Sequence, residues 1–97
     1  MPVTYFRVRW PDLTESNCYS PSSVVTDYFD AGQDYPLDEF MRRARLALSE
    51  ASERVRAKYG YACSAALDQL RALETRASGF APDQPVTVTG FELPEGF

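Results

Sequence analysis

Thr4-Tyr5-Phe6-Arg7-Val8-Arg9-Trp10 is the stretch on which the fold turns. Phe6, Val8 and Trp10 fall on one face, Tyr5, Arg7 and Arg9 on the other. Period two with aromatic and β-branched residues predicts a strand, one side of it buried. Pro11-Asp12-Leu13-Thr14 supplies turn residues, and Glu15 to Tyr19 returns as a second strand. Far down the chain, Val86-Thr87-Val88-Thr89 alternates again and is expected to end near Phe91. This last strand is expected to pair with the first, which makes the strand from Thr4 to Trp10 central.

Helices fill the interval. Ser20 reads as an N-cap with Pro21 at the first helical position, and Val24, Val25, Tyr28 and Phe29 as the buried side of a short helix. Asp30 to Asp34 reads as a loop. Pro36 then opens a long helix to about Tyr59, with Asp38 and Glu39 in its first turn. Stepping about 100° per residue, Leu37, Phe40, Met41, Ala44, Ala47, Leu48, Ala51, Val55 and Tyr59 form one apolar stripe. Asp38–Arg42, Glu39–Arg43 and Glu50–Arg54 are acid-to-base pairs at the spacing that supports a helix. Gly60 is a natural C-cap. A further helix is predicted from about Ala62 to Ala77, with a stripe of Cys63, Ala66, Leu67, Leu70, Leu73 and Ala77, and Gly79 placed to cap it. Pro82 to Pro85 break the chain before the last strand. The order β-β-α-α-α-β predicts an α+β two-layer sandwich, a small antiparallel sheet covered on one face by helices. Residues 1–97 are read as a single domain, with an ordered core over about 3–91 and a frayed tail over 92–97.

The composition excludes whole mechanisms. The 97 residues contain no histidine, which removes Ser-His-Asp and Cys-His pairs, His-bearing metal motifs and histidine proton shuttles. Two cysteines are too few for a four-thiolate zinc site. No metal and no cofactor are expected. Arg7 and Arg9 interrupt the apolar start, so it does not read as a signal peptide, and no run approaches the roughly 20 apolar residues of a membrane span. A reduced, cytoplasmic protein is the expectation. The net charge of −4 is uneven: residues 1–39 carry −5, residues 40–80 carry +4 and residues 81–97 carry −3. That balance disfavours nucleic acid as a partner, since a basic domain is the usual footprint.

Several residues stand out as candidates. Cys63 lies on an apolar stripe and reads as a small buried hydrophobe. Cys18 precedes the expected helix start, where a thiol pKa is lowered and free N–H groups can hold an anion. With Ser20, Ser22 and Ser23 it makes a possible ligand site, although capping already explains the serines. Arg54, Arg56 and Lys58, with Arg42 and Arg45 upstream, form the one basic cluster. Of these, Arg45, Arg56 and Lys58 lack an acid four residues before them. Leu46 and Ala57 fall opposite the apolar stripe, where Leu46 suits an oligomer contact. Tyr5, Arg7 and Arg9 share the outer face of the first strand, and a Tyr-Arg surface favours a protein partner.

The text of the chain adds a resemblance. Phe6-Arg7-Val8-Arg9-Trp10-Pro11-Asp12, Cys18-Tyr19-Ser20-Pro21-Ser22, Tyr35-Pro36, Ala51-Ser52-Glu53-Arg54-Val55-Arg56-Ala57-Lys58-Tyr59-Gly60, and Ser64 with Ala66-Leu67-Asp68-Gln69 carry it. Over roughly residues 3–89 the chain resembles the small bacterial nitrogen-starvation-response proteins first named in mycobacteria, and the block Ala51–Gly60 is the most specific part. Glycine is expected after Trp-Pro-Asp in that family, whereas Leu13 stands here, a departure that bears on the tight turn. The resemblance implies a cytoplasmic accessory role in nitrogen or nitrile metabolism, with genes typically set beside a nitrilase gene, and supplies no catalytic residue.

The expected function is therefore a non-enzymatic interaction protein using Arg45, Arg54, Arg56 and Lys58, or Arg7 and Arg9. Its partners would be a second copy in a homo-oligomer, the products of neighbouring nitrogen-metabolism genes, or both, with no membrane involved. The alternative is a small ligand-binding domain or enzyme using Cys18 and the Ser20–Ser23 helix start.

Overall fold

A computed structural model describes residues 3–61 and 64–92. The alternating segment forms β1 (Thr4–Arg9), antiparallel to β2 (Glu15–Ser20), with Phe6 opposite Cys18 and Val8 opposite Ser16. On its other side β1 pairs antiparallel with β4 (Pro85–Glu92), and β4 in turn with β3 (Asp34–Pro36). The sheet order is β2-β1-β4-β3, so β1 is central and meets the last strand, as the expected pairing of first and last strands requires. Glu92 lies within β4, one residue inside the stretch expected to fray; residues 93–97 are outside the described residues.

The helices are α1 (Val25–Tyr28), α2 (Leu37–Tyr59) and α3 (Ser64–Ala77). They cover one face of an antiparallel sheet, and the α+β two-layer arrangement stands. The element order differs by one strand, because the expected loop over Asp30–Asp34 gives way to β3 at Asp34. Three residues including a proline carry no period, and what holds them is tertiary. Tyr35 is buried with its ring 5.6 Å from Phe29, and its hydroxyl accepts the Asp30 N–H at 2.9 Å. Pro36 caps α2 rather than opening it.

The first helix corrects a second expectation. Ser20 is the last residue of β2, not an N-cap, and α1 begins at Val25 with Val24 preceding it and no side-chain cap. The Ser20 hydroxyl donates to the Ser22 carbonyl at 2.7 Å and accepts the Ser22 N–H at 3.3 Å, while Ser22 Oγ accepts the Val24 N–H at 3.3 Å. The Ser-Pro-Ser-Ser run is thus a hydrogen-bonded corner. Serine side chains satisfy turn backbone as readily as helix starts, which is why the sequence misleads here.

The core lies between the sheet and the helices. From α2, Leu37, Phe40, Met41, Ala44, Ala47, Leu48 and Ala51 are buried, as the stripe predicts; Val55 is only half-buried and Tyr59 is exposed. From α3, Ala66, Leu73 and Ala77 are buried, whereas Leu67 is exposed and Leu70 half-buried against the core. Cys63 lies outside the described residues. Gly60 closes α2 at φ 85°, its N–H donating to the Arg56 carbonyl at 2.8 Å. A register shift between Arg7 and Val8 leaves Thr89 as an extra residue of β4. That one-residue bulge keeps Phe91 on the inner side, opposite Phe6.

The β1–β2 turn is closed by Trp10 N–H to the Thr14 carbonyl and Leu13 N–H to the Trp10 carbonyl, both at 2.8 Å. Leu13 adopts φ 69° there, the conformation that favours glycine, and the residue is 77% exposed. The turn forms despite the missing glycine because Asp12 Oδ1 accepts the Thr14 N–H at 3.1 Å and the Thr14 hydroxyl at 2.6 Å. Arg76 of α3 also donates to the Thr14 hydroxyl and lies 3.8 Å from Asp12. Leu13→Gly is expected to raise stability by about 0.5–1 kcal/mol, the relieved left-handed strain less the greater entropy of unfolded glycine. Urea unfolding checks this, and a lower midpoint would show that Leu13 is not strained.

Candidate functional site

The alternation that buries Phe6 and Val8 points Tyr5, Arg7 and Arg9 away from the helices. Arg7 and Arg9 keep about half of their side-chain surface in solvent and share one carboxylate: Glu15 lies 3.8 Å from Arg7 Nε and 3.5 Å from Arg9 Nη2. Tyr5 and Tyr19 meet edge to face at 6.0 Å across the β1–β2 ladder. Beside them, Tyr5, Arg7, Asn17, Gly90, Phe91 and Glu92 line a depression of about 320 Å³. Nothing stands within 4 Å of where a Gly90 Cβ would be, so the floor of the sheet is open there. The result is an uncovered sheet face bearing tyrosines, arginines and carboxylates.

The edge beside this face is blunted. Tyr19 of edge strand β2 donates its N–H to Gln69 Oε1 of α3 at 2.9 Å. A side-chain amide therefore occupies a backbone donor that would otherwise invite another strand.

The basic helix differs from its sequence reading. Arg45 and Arg56 lack an acid four residues earlier but are not free of partners. Arg45 reaches Glu74 of α3 at 3.5 Å, and Arg56 pairs with Glu53 at 2.8 Å, three residues before it. Arg54 pairs with Glu50 at 3.5 Å as its spacing predicts. Arg42 pairs with Glu39 rather than Asp38, and Glu39 also holds Arg43 at 3.1 Å. The hydrogen bonds from Arg42 and Arg43 hold the Glu39 carboxyl below its ordinary pKa, and the Arg56 guanidinium does the same for Glu53. Lys58 has no carboxylate partner among the described residues, and its ammonium lies 5.5 Å from the Tyr59 ring centre. Arg45 therefore sits apart from Arg54, Arg56 and Lys58, which occupy the far end of α2.

Cys18, Ser20 and Ser22 are brought together but sealed, at 1%, 0% and 2% exposure. Burial pushes the Cys18 thiol up to about 12, opposite to the lowering that a helix start would bring. The helix that follows it in the chain, α1, begins only seven residues later, at Val25. Thr4, opposite Ser20, has the one buried side-chain oxygen without a hydrogen-bond partner among the described residues.

Arg43 carries a role that sequence spacing does not show. Its Nη1 donates to the Tyr28 carbonyl at 2.9 Å at the end of α1, and its guanidinium lies 4.8 Å from the Tyr35 ring centre in β3. One side chain thus ties α1, β3 and α2, and only the i, i+4 pair with Glu39 is visible in the sequence.

Among the described residues, no group of three or more His, Cys, Asp or Glu side chains could hold a metal ion, and no helix is long and apolar enough to cross a membrane. The family model described as nitrogen starvation-induced protein NitG matches residues 5–91. No curated protein and no solved structure matches the chain.

Proposed function

The chain belongs to the nitrogen starvation-induced protein NitG family, and from that premise we propose that it serves the nitrogen starvation response as a cytoplasmic, non-enzymatic accessory protein. It acts by protein–protein contact through the open face of its sheet. The observation that supports this is the uncovered face itself, where Tyr5, Tyr19, Arg7 and Arg9 stand around a depression beside a blunted edge. Tyrosine and arginine are the residues that anchor protein interfaces. Glu15 lies within 4 Å of both guanidinium groups, and pairs this exposed give way at small cost, so both arginines can turn to a partner carboxylate. The partners are a second copy of the chain or the products of genes beside its own, a nitrilase among them.

Arg7→Glu with Arg9→Glu is expected to weaken such a complex at least tenfold, about 1.4 kcal/mol. Reversal of Arg54 and Arg56, which sit in ion pairs at the far end of α2, should leave it intact. Native mass measurement on extracts from nitrogen-starved cells reads both variants. A wild-type protein that remains a free monomer at low salt, or two variants that behave alike, would sink the proposal.

A further inference from the structure

Away from the sheet, α2 and the end of α3 bound a groove of about 380 Å³. Its apolar lining comes from Leu37 and Met41 of α2, Ala77 of α3, and Phe80 and Pro82 on the way to β4. Its rim carries three charges, Asp38, Arg45 and Glu74. Arg45 Nη2 and Glu74 Oε2 lie 3.5 Å apart, with side chains 54% and 44% exposed. An ion pair this exposed contributes little to stability, so a ligand can take either partner at small cost. Asp38 has no cationic partner among the described residues; its Oδ1 accepts only the Glu39 N–H, at 2.8 Å.

Charges of both signs beside an apolar lining match a molecule that carries both signs on an apolar body. The geometry points to this groove as a binding site for an apolar α-amino acid. The ligand carboxylate takes Arg45 as a charge-assisted, fork-shaped partner. The ammonium lies between Glu74, released from Arg45, and the unpartnered Asp38. The side chain rests on Met41 and Phe80, and the flexible thioether of Met41 adapts to its shape. Neither half of such a ligand suffices alone. An amine without a carboxylate leaves the Arg45–Glu74 pair closed and gains only exposed Asp38. An acid without an amine draws Arg45 away and leaves two carboxylates facing the ligand unneutralised.

This groove is separate from the open sheet face, so each idea fails or survives without the other. The test follows the methyl signal of Met41, one of only two methionines, during titration of the full chain. The probes are L-leucine, isoamylamine, which lacks its carboxylate, and 4-methylpentanoate, which lacks its ammonium. L-leucine is expected to move the signal saturably, and each analogue to bind at least tenfold more weakly. Arg45→Gln should weaken L-leucine at least tenfold while leaving the urea midpoint unchanged. The inference is overturned by the absence of a saturable shift near the solubility limit of L-leucine. It is equally overturned by isoamylamine binding as well as L-leucine, or by Arg45→Gln binding like the wild type.

Discussion

Trp10→Ala is expected to lower the unfolding free energy by about 3–5 kcal/mol, the cost of deleting a large buried aromatic and leaving a cavity. Trp10 is 1% exposed. Its ring stacks on Phe80 at 6.0 Å with an 11° tilt and meets Phe40 edge-on at 5.8 Å. The indole N–H donates to Ser16 Oγ at 2.8 Å, so the polar atom is satisfied as well. The ring therefore joins β1 to β2, α2 and the segment before β4 at one point. Domains of this size hold roughly 5–15 kcal/mol in all, so this one deletion removes a large share of the total. Trp10→Phe keeps much of the apolar contact and loses the N–H bond, and should fall between the two. Far-UV circular dichroism in urea is the readout, because Trp10 is the only tryptophan and its fluorescence disappears with it. A Trp10→Ala midpoint close to that of the wild type would mean that the ring does not hold these elements together.

Cys18 is expected to resist alkylation in the folded protein by about a thousandfold at neutral pH, and to react normally once unfolded. The thiolate is the reacting form, and burial pushes its pKa from 9.0 to about 12, each unit being a factor of ten in thiolate population. Steric closure at 1% exposure slows the folded state further. The sign for stability follows from the same shift. Between pH 9 and about 12 the unfolded chain releases the thiol proton and the folded chain keeps it. The stabilising difference is complete below the unfolded value and lost as pH rises through that window. Iodoacetamide trapping on a Cys63→Ser background, with and without urea, isolates Cys18. Rapid alkylation without urea near neutral pH would show an open, activated thiol and revive the reactive-cysteine alternative.

How far the sequence reads depends on whether a contact is local. The Thr4–Trp10 alternation reports a strand with one buried face, and its spacing alone puts Tyr5, Arg7 and Arg9 on the open one. The Leu37–Ala51 stripe reports the buried side of α2 because every helical turn repeats it. Its continuation to Val55 and Tyr59 misleads, since periodicity cannot say where the sheet beneath a helix stops. β3 leaves no mark because Tyr35 is held by Phe29 and Val86, not by its neighbours. Arg45 looks unpaired because Glu74 lies 29 residues on, on another helix. The groove is invisible for the same reason, its walls coming from residues 37–45 and 74–82.

The sheet order also governs how the chain must be made. β1 waits for β4, some eighty residues later, and among the described residues β3 pairs with β4 alone. While residues 85–92 are still inside a ribosome, only the β1–β2 hairpin of the sheet can exist. Its apolar face and one long edge then remain open, and pairings of such sequence separation form slowly. Synthesis at low temperature or with a chaperone at hand should therefore matter more to the yield of this protein than its small size suggests.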